Sequence, residues 1–305
     1  MHPFVHVRHA RAQLLGMVLL MLLQACTATE SRYQPETRVV PGASFTFSAS
    51  PVQAKGVLRV MSLNMAHSRG EGFHQALQKT STAFDNLEAI LEMLREYRPD
   101  VVALQEADGK SFWNGKFDHV EYLARHGWYQ QYVHGEHVKG GGLSYGTALL
   151  SGHKLENPEV VTFSPESSVT PKGFVVSTVQ WPGEPSIKVD VVSVHLDFSS
   201  ESKRRQQASK MIEVLRERQN PVIIMGDFNT GWEPEDSAVR LIAGELGLVT
   251  FQPADEGLHT FPSFGRRLDW ILVSPRFRFV SHSVRPDAVS DHRAVIADLD
   301  LNGTD

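Results

Sequence analysis

Short apolar runs alternate along this chain with longer stretches in which apolar residues recur every three or four positions. The runs VLRVMSLN (57–64), VVALQE (101–106), GTALLS (146–151), VVSTVQW (175–181), VDVVSVHL (189–196), VIIMGDFN (222–229), LDWILVS (268–274) and AVIADLDL (294–301) predict strands. Several are apolar on both faces, as in a sheet covered on both sides. Between them, 82–97 places Leu87, Ile90, Leu91 and Leu94 on one helical face, and 201–218 does the same with Ala208, Met211, Ile212 and Leu215. These stripes are core contacts. The cations Lys203, Arg204 and Arg205 at the start of the second helix read as a solvated face.

Before Val57 the pattern differs. Residues 1–13 carry Arg8 and Arg11, 14–23 read LLGMVLLMLL, and Leu23-Gln24-Ala25-Cys26 follows. The apolar run is too short to span a bilayer and has the form of a secretory leader. The four residues ending at Cys26 resemble a bacterial lipoprotein signal, which implies a signal peptide over 1–25, acylation of Cys26 and a cell-envelope protein anchored to a membrane by lipid. Thr27 comes next, which in a Gram-negative host would imply the outer membrane. Residues 26–56, rich in Ser, Thr, Pro and Ala, are expected to form a flexible tether, and 57–301 a single domain without internal repeats. Cys26 is the only cysteine, so neither an intramolecular disulfide nor a cysteine metal site is possible. A net charge of −5 gives no overall pull toward nucleic acid.

Chemistry gathers where the strands end. VIIM runs into Gly226, Asp227, Phe228 and Asn229, and Asp227 and Asn229 share a side if the extended conformation continues. An Asx turn leaving the sheet explains the same residues equally well. The other strands decide between them: Asn64, Glu106, His195, Asp269, and Asp291 with His292 all stand at such ends. Singly, His195 reads as a bonded core histidine and Asp269 as the partner of Arg267; together they indicate one cleft. Oxygen ligands without cysteine suit a hard cation, Mg²⁺ or Mn²⁺. The chain has neither a phosphate-binding Gly-rich loop with Lys and Ser/Thr nor a Gly-x-Ser-x-Gly elbow. Metal-assisted attack of water on a phosphoester fits these residue types best.

In this order SLN, LQE, GTALLS, VHL, GDFN, RRLDWILVS and SDHRAV resemble the endonuclease/exonuclease/phosphatase superfamily across nearly the whole domain. The resemblance implies a four-layer α/β sandwich, two packed mixed β-sheets flanked by helices. It implies that Asn64 and Glu106 hold the metal with support from Asp291, and that Asp227 orients or activates water. By the same resemblance Asn229 contacts the phosphate, His195 is a general acid or phosphate contact, and His292, paired with Asp269, polarises the scissile phosphate. His67, just after Asn64, is a candidate to support the site.

Residues 111–135 and 137–151 are most similar to a group resembling the C-terminal domain of a eukaryotic protein of glycosylphosphatidylinositol-anchor remodelling. A phosphodiester of a lipid head group or small molecule, cut by a monomeric enzyme, is the expectation. Phe112, Trp113, Trp128 and Tyr129 could form an apolar lip for a lipid but read more simply as core. The GGG turn in HGEHVKGGGLS could be a mobile rim or an ordinary connection. A secreted nuclease is the alternative enzyme, and needs a basic groove for which Arg69, Lys139, Lys172, Arg266 and Arg267 are the scattered candidates. A non-catalytic, lipid-anchored binding protein is the alternative of another class.

Overall fold

The protein is described by a computed structural model over residues 30–40, 56–72, 80–167, 170–255 and 257–303. Cys26, the apolar leader and most of the expected tether lie outside the described residues. In chain order the strands are β1 (Ser31–Tyr33), β2 (Arg38–Val39), β3 (Leu58–Asn64), β4 (Val101–Asp108), β5 (Gln131–Gly140), β6 (Leu143–Ser151) and β7 (Glu156–Thr162). They continue as β8 (Gly173–Trp181), β9 (Glu184–His195), β10 (Val222–Asp227), β11 (Val249–Thr250), β12 (Asp269–Val273), β13 (Phe277–Val284) and β14 (Val295–Leu301). The α-helices are α1 (Thr80–Tyr97), α2 (His119–His126), α3 (Glu201–Arg218) and α4 (Ala238–Leu246).

All eight expected strands are present, and they sort into two seven-stranded mixed sheets. One runs β1-β7-β8-β9-β10-β12-β11 and the other β13-β14-β3-β4-β6-β5-β2. Strands apolar on both faces need cover on both faces, and three apolar layers supply it. Leu58, Val60, Val101, Val191, Ile223 and Ile271 fill the space between the sheets. Leu87, Ile90, Leu91 and Leu94 of α1 pack on the outer face of the second sheet, and Met211, Ile212 and Leu215 of α3 on that of the first. This is the four-layer α/β sandwich expected from the sequence.

Two expectations are corrected. Residues 30–40, placed in the tether, pair with the domain instead: β1 runs antiparallel to β7, and β2 to β5. Each adds an edge strand and supplies backbone partners to an otherwise open sheet edge. Arg204 is buried rather than solvated, because Nη1 donates to the Asp197 carbonyl at 3.0 Å and Nη2 to Glu201 at 2.8 Å. Among the described residues no helix is long and apolar enough to cross a membrane.

Candidate active site

Strand register builds a row of functional side chains. Asp227, at the end of β10, stands opposite His195 at the end of parallel β9 and opposite Asp269 at the start of antiparallel β12. A Cβ at Gly226 would fall 2.0 Å from the Val194 carbonyl oxygen, so only glycine lets β10 approach β9 this closely just before Asp227. The extended conformation stops at Asp227. Asn229 has φ 53°, and its N–H donates to Asp227 Oδ1 at 2.9 Å, forming an Asx turn. The turn itself positions the site, because Asn229 Nδ2 donates to the Leu196 carbonyl at 3.0 Å and to Asp227 Oδ2 at 3.2 Å. Through these bonds Asn229 braces Asp227.

The second sheet contributes the opposite wall. Asn64, at the end of β3, donates from Nδ2 to Asp227 Oδ2 at 3.0 Å and accepts the Ala66 N–H at 3.0 Å through Oδ1. Glu106 has φ 48° at the irregularity where β4 slips against β6, and its side chain lines the cleft. A bulge re-aims a side chain in this way at some cost in backbone strain. Arg69 then bridges the carboxylates, donating from Nη1 to Glu106 Oε2 at 3.1 Å and from Nη2 to Asp291 Oδ2. Asp291 and His292 lie in the loop before β14 rather than within the strand.

His292 Nδ1 lies 2.8 Å from Asp269 Oδ2, so Asp269 pairs with the histidine and not with Arg267. Arg267 donates instead to the carbonyls of Gln252 and Phe251 at 2.9 and 3.0 Å. His292 Nε2 points toward Asp227 Oδ2 at 3.8 Å. On the other wall His67 Nδ1 lies 2.6 Å from Asp108 Oδ1, while Nε2 is 3.6 Å from Glu106. Trp113 Nε1 donates to the second Asp108 oxygen at 2.7 Å. Ala66, His67 and Ser68, with φ of 48°, 52° and 57°, make a left-handed turn of non-glycine residues, strain of the kind that marks functional segments.

Of these groups His67, Arg69, Glu106 and His195 line a cavity of about 290 Å³, whose walls also include Lys172 and Phe198. Lys172 Nζ sits 3.0 Å from His195 Nε2. Arg69 and Lys172 were legible in the sequence only as scattered cations, and the structure brings both into the cleft. Of the four aromatic residues considered for a lip, Tyr129 is core and Trp128 meets Arg95 in the last turn of α1, while Phe112 and Trp113 border the cleft through Tyr145.

Burial and charge divide the roles. Burial raises Asp227 to about 6, with the neighbouring Asp269 adding to the effect and His292 opposing it. His292 is pushed up to about 10 because Asp269 and Asp227 outweigh its burial. Burial and the adjacent Lys172 hold His195 well below the usual histidine range, which favours its neutral ring. Burial favours the protonated form of Glu106, but the charges of His67 and Lys172 outweigh it and lower its pKa.

The donor set fits a divalent cation. Glu106 and Asp291 converge on one positive group, the Arg69 guanidinium, and both offer the hard oxygens that Mg²⁺ and Mn²⁺ prefer. Asp227, Asp269 and His292 also bring three ligand-type atoms within 4.8 Å of one another. Glu106 and Asp291 face a single cation, whereas in that grouping Asp227 already accepts from Asn64 and Asn229. Within it, Asp269 Oδ1 has no hydrogen-bond partner among the described residues.

Protein cwh43 of Schizosaccharomyces pombe is 28% identical over 171 residues, which cover 54% of this chain and 16% of that protein. The crystal structure of an endonuclease/exonuclease/phosphatase from Beutenbergia cavernae superposes with a TM-score of 0.61 at 21% identity, covering 82% of this chain and 72% of that one. The human Nocturnin catalytic domain with bound sulfate anion also gives 0.61, at 20% identity, covering 82% and 97%. Both structural likenesses show the fold. The sequence profile of the Endonuclease/Exonuclease/phosphatase family matches residues 61–292, which include every site residue placed above, and the chain belongs to that family.

Proposed function

We propose that the protein hydrolyses a phosphodiester at a lipid head group with a divalent ion, Mg²⁺ or Mn²⁺, in the cleft, and that acylated Cys26 anchors it to a cell-envelope membrane. Members of the family are generally metal-dependent phosphoester hydrolases. One observation carries the assignment of chemistry: Glu106 and Asp291 converge on the Arg69 guanidinium while His292, oriented by Asp269, faces Asp227.

Glu106 and Asp291 would hold the ion, whose charge neutralises the phosphoryl oxygens. Asp227, raised by burial to about 6 and fixed by Asn64 and Asn229, accepts a proton from the attacking water. The water oxygen bonds to phosphorus as the bond to the leaving oxygen breaks, and the leaving oxygen takes up a proton from solvent. His292 donates from Nε2 to a phosphoryl oxygen, and Asp269 keeps that ring protonated and aimed. Lys172 adds a second positive group beside the neutral His195.

The size of the cavity supports this reading. About 290 Å³ accommodates a head group. Its lining carries two lysine or arginine cations, Arg69 and Lys172, which favours a compact phosphoester over a polynucleotide backbone. The test is hydrolysis of phosphatidylinositol, sphingomyelin and plasmid DNA in parallel with Mg²⁺, Mn²⁺ or EDTA. Lipid cleavage abolished by EDTA supports the proposal; nicking of plasmid alone replaces it with a nuclease, and a folded chain that binds metal but turns over none of them favours the non-catalytic alternative.

A further inference from the structure

Phe112, Phe198 and Phe264 are 49%, 58% and 73% exposed, and each belongs to a different loop at the cleft. Phe198 lines the cavity directly. Phe112 packs on Trp113 at 5.5 Å, and Trp113 on His67 at 5.5 Å. Phe264 stacks on Phe261 at 5.4 Å, and Phe261 on His292 at 4.8 Å. Each exposed ring is therefore at most two contacts from a site residue. Val280, exposed at 52%, lies on β13, the edge strand of the second sheet.

Cations accompany two of the rings. Exposed Lys110 and Lys116 flank Phe112, and Gly142, in the turn after exposed Lys139, would bring a Cβ within 3.7 Å of the Phe112 ring. Exposed Arg266 follows Phe264 by two residues. Separate apolar tips with neighbouring cations match the interface of an anionic bilayer, where rings enter the acyl boundary and cations meet head groups. A protein partner would require one contiguous patch instead.

We propose that the mouth of the cleft seats on an anionic lipid bilayer through Phe112, Phe198 and Phe264, with Lys110, Lys116, Lys139 and Arg266 on its head groups. The proposal rests on the lipid-substrate reading and adds how that substrate is reached: the cleft opens onto the surface in which the scissile head group lies.

The test uses the mature chain from residue 26 onward carrying Cys26→Ser, so that neither the apolar leader nor an acyl anchor contributes, sedimented in EDTA with phosphatidylcholine vesicles with and without phosphatidylglycerol. The chain binds the anionic vesicles, and Phe112→Ser and Phe264→Ser each weaken partition roughly tenfold, the double variant more. Val280→Ser leaves partition unchanged, and hydrolysis of soluble bis(para-nitrophenyl) phosphate with metal is unchanged in Phe112→Ser and Phe264→Ser. Equal partition of parent and variants, or an equal loss with Val280→Ser, overturns the proposal. So does binding of a single-stranded oligonucleotide, lost in the same variants, without vesicle binding. Hydrolysis of detergent-dispersed lipid without vesicle binding would overturn only the seating, whereas vesicle binding without hydrolysis would overturn only the enzymatic reading.

Discussion

His67 and Asp108 form a second aspartate–histidine pair, 2.6 Å between Nδ1 and Oδ1, on the wall of the cleft opposite His292 and Asp269. Trp113 and Asn114 hold the Asp108 carboxylate from behind, and the left-handed turn at Ala66–Ser68 presents the His67 ring beside Glu106. His67 was legible in the sequence only as a supporting candidate. Asp108→Asn is expected to lower kcat/KM roughly ten- to a hundredfold, as removal of an orienting partner does, with little change in fold. Steady-state kinetics on the lipid substrate and circular dichroism check this; wild-type kinetics in Asp108→Asn would show the pair to be structural only.

Asp227→Asn and His292→Asn remove the proposed proton acceptor and the phosphoryl donor. Each is expected to reduce kcat on the order of a thousandfold while near-ultraviolet circular dichroism keeps its native form. Asp269→Asn should cost less, because His292 remains and loses only its orienting charge. Equal losses in Asp269→Asn and His292→Asn would mean that His292 has no function apart from the pair.

Asn64, Glu106, Asp227, Asp269 and His292 were legible because each interrupts or bounds an apolar run, where a buried strand has no structural need for a polar side chain. Register turns that linear pattern into a row, as the pairing of Asp227 with both His195 and Asp269 shows. Lys172 was not legible as a site residue. It precedes Gly173, and only the pairing of Gly173 with His195 across β8 and β9 brings it there. β5 was missed because His134 and His137 are buried, with the His137 nitrogens bonded to Thr162 and Thr147, so a core-facing strand reads as polar. β1 and β2 were missed because two- and three-residue edge strands carry no measurable alternation. Arg69 followed from neither motif nor period; its position depends on the backbone conformation at Ala66–Ser68.

Arg69 joins the same two carboxylates to which the metal is assigned, so guanidinium and divalent ion compete for them. Arg69→Gln is expected to bind Mn²⁺ about tenfold more tightly by isothermal titration, since it removes one positive charge from between two acids. Turnover should fall in the same variant if the displaced guanidinium serves the substrate phosphate. Unchanged or weaker Mn²⁺ binding would place the metal elsewhere in the cleft.

Acid should destabilise the protein through histidines that take no part in the proposed chemistry. His282 stacks on Phe251 at 4.8 Å, and neither of its ring nitrogens has a hydrogen-bond partner among the described residues. Burial, and then the charge of Arg267, lower its pKa to about 4. In the unfolded chain a histidine titrates near ~6.5. Above that pH both states are neutral and the residue has no linkage effect. As the pH falls from about 6.5 toward 4, the unfolded chain takes up a proton that the folded chain refuses, and stability is lost across that window. Allowing for partial exposure of the ring, the loss from neutral pH to about pH 4.5 is roughly 2 kcal/mol. His137, lowered to about 3 by burial, adds a loss in the same direction. Urea unfolding at neutral pH and at about pH 4.5 should therefore give a difference smaller by roughly 2 kcal/mol in His282→Gln than in the parent. An identical difference in the two proteins would mean that the ring is already protonated, or open to water, in the native state.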